Sequence, residues 1–315
     1  MATLSSANRR ATLALSLVAP LFLAAASASA GFESFNLGTI DQQQGWTTRD
    51  GFQTSVTVGN WDQAIVDAGG KRVWRISNAV TSGTYASQTF SSTSAAVAGE
   101  SGSALWNDRG TNGSSPTAPQ FGAYATSNQF YSRFDFRSAT GAAQNGLAIT
   151  LSASAKQSTV RMSWLQIADT GAGFALRVFE TGLNGTFPGS SITIASGLSY
   201  TDLHSIETTI DFVDGVTDTG SGILSNDVLK VYLNGSLIHT GSTWESYYRL
   251  NELTTPGEPR LQAVDSMLFR VAGTAAPGTL GNGFLFENVV VGNVPAPGAL
   301  ALLGAAGLVG ARRRR

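Results

Sequence analysis

The sequence predicts an all-β protein built as a two-sheet antiparallel β-sandwich or jelly roll. Three observations carry this. Residues 130–137 and 204–213 alternate apolar and polar side chains with a period of two, the pattern of strands with one solvated face. Asn234-Gly235 joins two apolar alternating runs; this dipeptide is the strongest short hairpin signal, because both positions need positive φ. No stretch of the body holds a helical period, and short strand-like runs separated by turns recur throughout.

In chain order, residues 31–46 open with Phe32 and Phe35 and read as a first strand, followed by a polar turn that pins Trp46. Residues 73–77 and 85–90 read as short strands. Residues 91–120 are rich in Ser, Gly and Pro and read as a long surface loop carrying Trp106. In 130–137, Phe134 and Phe136 face one way and Arg133, Asp135 and Arg137 the other. Residues 147–151, 160–167, 174–179 and 191–195 continue the pattern, with Phe174, Leu176 and Val178 on one face and Arg177 opposite. In 204–213, Ile206, Thr208, Ile210 and Phe212 alternate with Ser205, Glu207, Thr209 and Asp211. An acidic loop leads to the hairpin of 228–233 and 236–240, and 266–271 and 284–291 close the body.

The two ends differ from this body. Residues 1–30 have a basic start at Arg9 and Arg10, an apolar stretch, and Ala28-Ser29-Ala30, the layout of a secretory signal peptide cut after Ala30. Ala11-Thr12-Leu13 after the arginine pair fit a twin-arginine signal poorly, so Sec export is expected. The chain closes on residues 293–315: Val294, Pro295, Ala296 and Pro297, an apolar segment without charge, then Arg312, Arg313, Arg314 and Arg315. The prolines keep the chain extended, the apolar segment suits a bilayer, and the arginines favour the cytoplasmic side. The apolar run falls short of the roughly 20 residues of a full span, which suits a transient stop.

Between these ends, residues 31–292 suffice for one sandwich domain. There is no cysteine, so the body is held by its core rather than by disulfides. Six of the 20 Lys and Arg lie in the two ends, leaving 14 against 21 Asp and Glu and a body charge near −7. That balance argues against nucleic acid as a partner.

The tail resembles the PEP-CTERM sorting signal of exported bacterial proteins, with Ala296 where that pattern carries Glu. The resemblance implies an exosortase-type transpeptidase as partner, transient insertion in the inner membrane, and delivery to the cell surface or outside the cell. A plain membrane anchor is the alternative. In the body, residues 226–248 (NDVLKVYLNGSLIHTGSTWESYY), with HSIETTIDFVDG before them and VDSMLFRVAG and GFLFENVVV after, resemble the concanavalin-A-like, laminin-G-like jelly roll. That fold hosts lectins, glycosidases, lyases and inert modules, so function has to come from a site.

The residues offer three kinds of candidate site. Sandwich glycosidases of the resembled group carry Glu-x-Asp-x-x-Glu on one strand, and retaining chemistry needs carboxyls ~5–5.5 Å apart. Glu207 and Asp211 share a face but stand roughly 13 Å apart along an extended strand, and the motif is absent. His204 and His239 read as strand-face residues, and no nucleophile elbow accompanies them. No catalytic residue is therefore assigned. Asp211, Asp214, Asp218, Asn226 and Asp227 cluster around one turn and could give calcium several of its six to eight oxygens; a solvated acidic turn is the plainer reading, and both stand. No other cofactor is expected. Trp244, Glu245, Tyr247, Tyr248 and Arg249 form a dense aromatic and charged patch that suits a sugar ring or plugs the end of the sandwich, and Trp61 and Trp106 are alternative ring platforms. The expectation is an exported, non-catalytic surface or matrix protein whose ligand is a polysaccharide; the alternative is a glycan-acting hydrolase or lyase on the same fold.

Overall fold

The computed structural model describes residues 28–49, 61–81, 88–91, 105–106, 129–154, 161–181, 186–211, 227–244, 247, 263–264, 266–271 and 273–293. The described elements are strands and two single-turn 3-10 segments, Phe32–Ser34 and Pro277–Thr279. The strands are β1 (Ala28–Ala30), β2 (Thr47–Arg49), β3 (Gln63–Asp67), β4 (Arg72–Ile76), β5 (Gln88–Phe90), β6 (Leu105–Trp106), β7 (Gln129–Ser138), β8 (Ala148–Ser154) and β9 (Leu165–Asp169). They continue with β10 (Phe174–Val178), β11 (Ile192–Leu198), β12 (His204–Asp211), β13 (Val228–Leu233), β14 (Ser236–Ser242), β15 (Ala263–Val264), β16 (Ser266–Arg270) and β17 (Phe284–Asn293).

Two antiparallel sheets face each other. One has eight strands, in the order β14-β13-β12-β7-β17-β4-β3, with β1 paired to β17. The other has seven, in the order β11-β10-β9-β8-β16-β5-β2. β6 and β15 pair separately. Strands far apart in sequence become neighbours: β17 lies between β7 and β4, and β16 between β8 and β5. This is the all-β, two-sheet antiparallel layout that the alternation predicts.

The inner faces supply the core. Phe130, Phe134 and Phe136 from β7 and Phe284 and Phe286 from β17 are fully buried. So are Phe174 and Leu176 from β10 and Phe269 from β16. Phe269 joins the two sheets: its ring lies 4.9 Å from Trp74 and 5.3 Å from Phe286, both on the opposite sheet, and 5.9 Å from Trp46. Such edge-to-face and offset contacts suit the charge distribution of aromatic rings.

Residues 31–46 are not a strand, contrary to expectation. Phe32 and Phe35 are three apart and flank a 3-10 turn closed by Phe35 N–H donating to the Phe32 carbonyl at 3.0 Å. That spacing puts both rings on one side, 5.2 Å apart and buried. An aromatic pair three apart fits a helical turn as well as it fits a strand with an interruption, and packing on Trp46 selects the turn. The hairpin forms as predicted: Asn234 has φ 51° and Gly235 φ 80°.

Candidate functional site

The outer faces of the two sheets differ in how their charges are satisfied. On the eight-stranded sheet, β7 turns Gln129, Tyr131, Arg133, Asp135 and Arg137 outward. Antiparallel pairing sets Glu207 opposite Arg133 and Asp211 opposite Gln129 on β12, and Glu287 opposite Asp135 on β17. These groups neutralise one another. Glu287 pairs with Lys71 and, at 3.4 Å, with Arg137. Asp135 lies 3.6 Å from Arg133 and accepts from Asn288 Nδ2 at 2.6 Å, where a bulge in β17 holds Asn288 at φ 51°. Asp211 is held by Lys230 Nζ at 2.6 Å and by Gln129. Burial, then the Glu207 carboxylate beside it, push the Tyr131 hydroxyl up to about 12, so it stays protonated. The hydrogen bond to Asp211 raises the Lys230 ammonium above its ordinary value.

The seven-stranded sheet presents a different outer face. Ile149, Leu151, Leu176 and Phe269 point inward, so the residues between them point out. Cross-strand register aligns these outer positions into one row. Thr193 on β11 is opposite Arg177 on β10, and Arg177 is opposite Gln166 on β9. Gln166 is opposite Thr150 on β8, and Thr150 is opposite Arg270 on β16. The register continues to the positions of Gln88 on β5 and Arg49 on β2. The row thus crosses every strand of the sheet and contains no Asp or Glu. Neither does the row on either side: Ala148, Ala168 and Ala175 along one flank, Ser152 and Leu268 along the other.

Those flanks are short or apolar, and the floor is recessed. Thr150, Ser152, Ala168, Ala175, Leu268 and Arg270 are each less than a tenth exposed. Arg177 Nη1 donates to Gln166 Oε1 at 3.3 Å, which orients the amide and leaves Gln166 Nε2 as a donor. Thr150 Oγ1 donates to the Arg270 carbonyl at 3.3 Å. Guanidinium and amide donors in line, over a floor of small side chains, suit a chain of carboxylates or sulfates more than a neutral ligand. The row lies across the strands, so an extended ligand would run perpendicular to them.

The residues singled out from the sequence fall elsewhere. Trp244 is 4% and Trp61 5% exposed, so neither offers an open ring face. Trp244 donates through Nε1 to the Phe179 carbonyl at 2.8 Å and packs on Trp164, Phe187 and Tyr247 at 5.2–5.4 Å. This is the plug at one end of the sandwich. Tyr247 is half-buried in it; Glu245, Tyr248 and Arg249 lie outside the described residues. Trp106 stands in β6 opposite Ala263. Of the acidic turn, Asp211 is bound to Lys230 and Gln129, and Asp227 is fully buried beside β13; Asp214, Asp218 and Asn226 lie outside the described residues. Among the described residues, no group of three or more His, Cys, Asp or Glu side chains is gathered as a metal set. His204 packs on Phe136 at 5.4 Å and bonds the Ser199 carbonyl at 2.8 Å, and His239 pairs with Glu180 at 2.6 Å. Residues 294–297 and 312–315, expected from the sequence to form a sorting signal, lie outside the described residues.

The Thr193–Arg177–Gln166–Thr150–Arg270 row escapes sequence reading because its members come from five separate strands. Each strand contributes one of them, a polar side chain at an outward position, the expected face of any half-buried strand. Only register brings them into line.

No family model matches the chain, and no curated protein matches it. Among solved structures it is similar to the alginate lyase Aly36B, at 9% identity over 85% of this chain and 97% of that one, with a TM-score of 0.46. It is also similar to the alginate lyase vAL-1 from Chlorella virus, at 14% identity over 82% of this chain and 98% of that one, TM-score 0.38. A third is a sialidase, at 10% identity over 84% of this chain and 18% of that one, TM-score 0.42. With scores below 0.5, none of these likenesses assigns a chemistry to this chain. They do correct the expectation of a non-enzyme, which rested on finding no catalytic motif: lyases stand among the proteins of similar layout. The physical reason is that a sheet face collects side chains from several strands, and such a set leaves no motif in the linear sequence.

Proposed function

We propose that the protein takes a linear anionic polysaccharide across the outer face of the seven-stranded sheet and acts on it as a glycan lyase, on a concanavalin-A-like jelly roll. One observation carries this reading: register sets the partly exposed Arg177 guanidinium beside the Gln166 amide, in a row whose described positions hold no Asp or Glu, in a body that is acidic as a whole. β-Elimination beside a uronate begins by neutralising its carboxylate, so that the neighbouring C–H becomes acidic. Guanidinium and amide donors do that. Hydrolysis instead needs two carboxyl groups flanking the scissile bond, and the described residues of this face contain none. Arg177 binds the carboxylate, and Gln166 Nε2 donates beside it. In the elimination the proton on the carbon beside the carboxylate passes to a base, the glycosidic C–O bond one carbon further breaks with its oxygen taking up a proton, and a carbon–carbon double bond remains; the row supplies the donors that neutralise the carboxylate, and the double bond is the readout.

The test uses polyuronate and neutral glucan of matched length. The protein retains the polyuronate, retention falls with added salt, and the product absorbs in the ultraviolet through its new double bond. Arg177→Gln lowers affinity about tenfold, the loss of one charge-assisted contact. Equal retention of neutral glucan, or indifference to Arg177→Gln, overturns the binding reading; retention without any unsaturated product overturns the lyase.

The same proposal places the protein outside the cell, its leader removed and its tail at 293–315 processed by an exosortase-type enzyme. The alternating body, the leader pattern and the apolar-then-basic end support it. Intact mass of the protein recovered from the native host is expected to match a chain beginning at Gly31 and lacking the four terminal arginines. A mass that includes both ends overturns it.

A further inference from the structure

The polar row has aromatic side chains beside it on one flank. On β10, Phe174, Leu176 and Val178 are buried in the core, so Arg177 and Phe179 lie on the outer face by alternation. The ladder runs on past Val178: Phe179 N–H donates to the Trp164 carbonyl at 3.0 Å. Trp164 therefore stands beside Phe179 as Gln166 stands beside Arg177, one rung further along the same two strands. The Phe179 and Trp164 rings lie 4.8 Å apart at 30°, which keeps both on that face. The guanidinium of the buried Arg161 lies 5.8 Å from the Trp164 ring, a cation–π contact that holds the ring in place. Phe187, on the connection from β10 to β11, completes this group. Its ring meets Trp164 at 6.1 Å and 75°, Trp244 at 5.2 Å and 87°, and Tyr247 at 6.1 Å and 74°. Three near-perpendicular contacts fix the ring, and Pro188 confines the Phe187 backbone to extended conformations. Phe187 is nevertheless 52% exposed, whereas Trp244 behind it is buried and Trp164, Phe179 and Tyr247 are half-buried. A ring kept only to plug the end of the sandwich would be covered as Trp244 is.

We propose that Phe187, backed by Trp164 and Phe179, packs against the C–H face of the sugar whose carboxylate Arg177 holds. A uronate unit is amphipathic: its carboxylate sits on one edge and its C–H bonds line the ring face. The aromatic rung and the Arg177–Gln166 rung stand roughly 7 Å apart along the strands, so one sugar ring reaches both. Continuity with the row selects a sugar over an apolar peptide side chain, which would bring no acceptor for the guanidinium and the amide beside it. An apolar wall with a few placed polar donors is also the general make-up of a small-molecule site. This inference rests on the reading of the outer face as a polyuronate track, and it divides recognition in two. Arg177 reads the charge of the unit, and Phe187 reads the flat apolar face of its ring.

The test is the affinity of the full chain and its variants for polyuronate, with thermal unfolding measured alongside. Phe187→Ala and Phe187→Leu are expected to bind about tenfold more weakly, the loss of one aromatic contact. Phe187→Trp keeps a flat ring and binds like wild type. The fall of affinity with added salt stays at its wild-type steepness in Phe187→Ala and becomes shallower in Arg177→Gln, because only the second removes a charge. Unchanged affinity in Phe187→Ala overturns the proposal and leaves the ring as part of the plug. Full affinity in Phe187→Leu overturns it as well, since bulk alone would then suffice. Should Phe187→Ala unfold at a lower temperature, the other two variants decide: weak binding by Phe187→Leu with wild-type binding by Phe187→Trp sustains the ring contact, and any other pairing overturns it. The two readings fail separately. If Arg177→Gln binds like wild type while Phe187→Ala does not, the track falls and the ring contact stands; if only Arg177→Gln binds weakly, the track stands and the ring contact falls.

Discussion

Asp62 shows how one residue pins a loop to a sheet. Its carboxylate accepts from Arg75 at 2.6 and 2.7 Å, from Ser77 Oγ at 2.7 Å and from Gly281 N–H at 2.9 Å, with the ion pair nearly buried. Burial alone would raise its pKa, but these donors outweigh it and hold the carboxyl below its usual value. A carboxyl depressed in the folded state stabilises the protein above its unfolded pKa, near 4, and that contribution is lost as pH falls through the lower folded value. Asp62→Asn therefore costs about 3 kcal/mol at pH 7, because Arg75 is left buried without its partner. The cost shrinks as pH falls below about 4, where the unfolded chain takes up the proton, and is gone once pH has passed the lower folded value. Denaturant unfolding at pH 7 and pH 3 checks this; an equal cost at both would show that Asp62 acts through packing instead. No sequence pattern marks this residue, since its partners lie 13 to 219 positions away.

At the scale of elements, the sequence is legible wherever the signal is local. β7 and β12 alternate cleanly, and both emerge with their aromatic and aliphatic side chains buried. Asn234-Gly235 makes its turn because two successive residues at positive φ are cheap only for such a pair. Legibility fails where packing chooses between two local options, as in the Phe32–Ser34 turn, and where a strand carries little pattern. β3, with the sequence QAIVD, went unmarked; its pairing with β4, and the Gly38–Ile65 bridge on its other side, make it a strand. The bulge in β17 also lies beyond local pattern, because Asn288 turns to reach Asp135 on another strand.

At the scale of the whole molecule, the two sheets share one aromatic core, and Phe269 stands where they meet. Phe269→Ala is expected to destabilise the protein by about 3–5 kcal/mol, the cost of emptying a buried aromatic site. Near- and far-ultraviolet circular dichroism should lose signal together, since neither sheet keeps its inner face covered without the other. Separate transitions would show that one sheet stands alone.

Side-chain alternation and turn chemistry are properties of neighbours along the chain, so the all-β class and the hairpin can be read from the residues alone. The candidate site cannot, because Thr193, Arg177, Gln166, Thr150 and Arg270 acquire a common line only through five strands in register. Register depends on which apolar faces bury one another across the core, and that is settled by contacts between residues far apart in the chain.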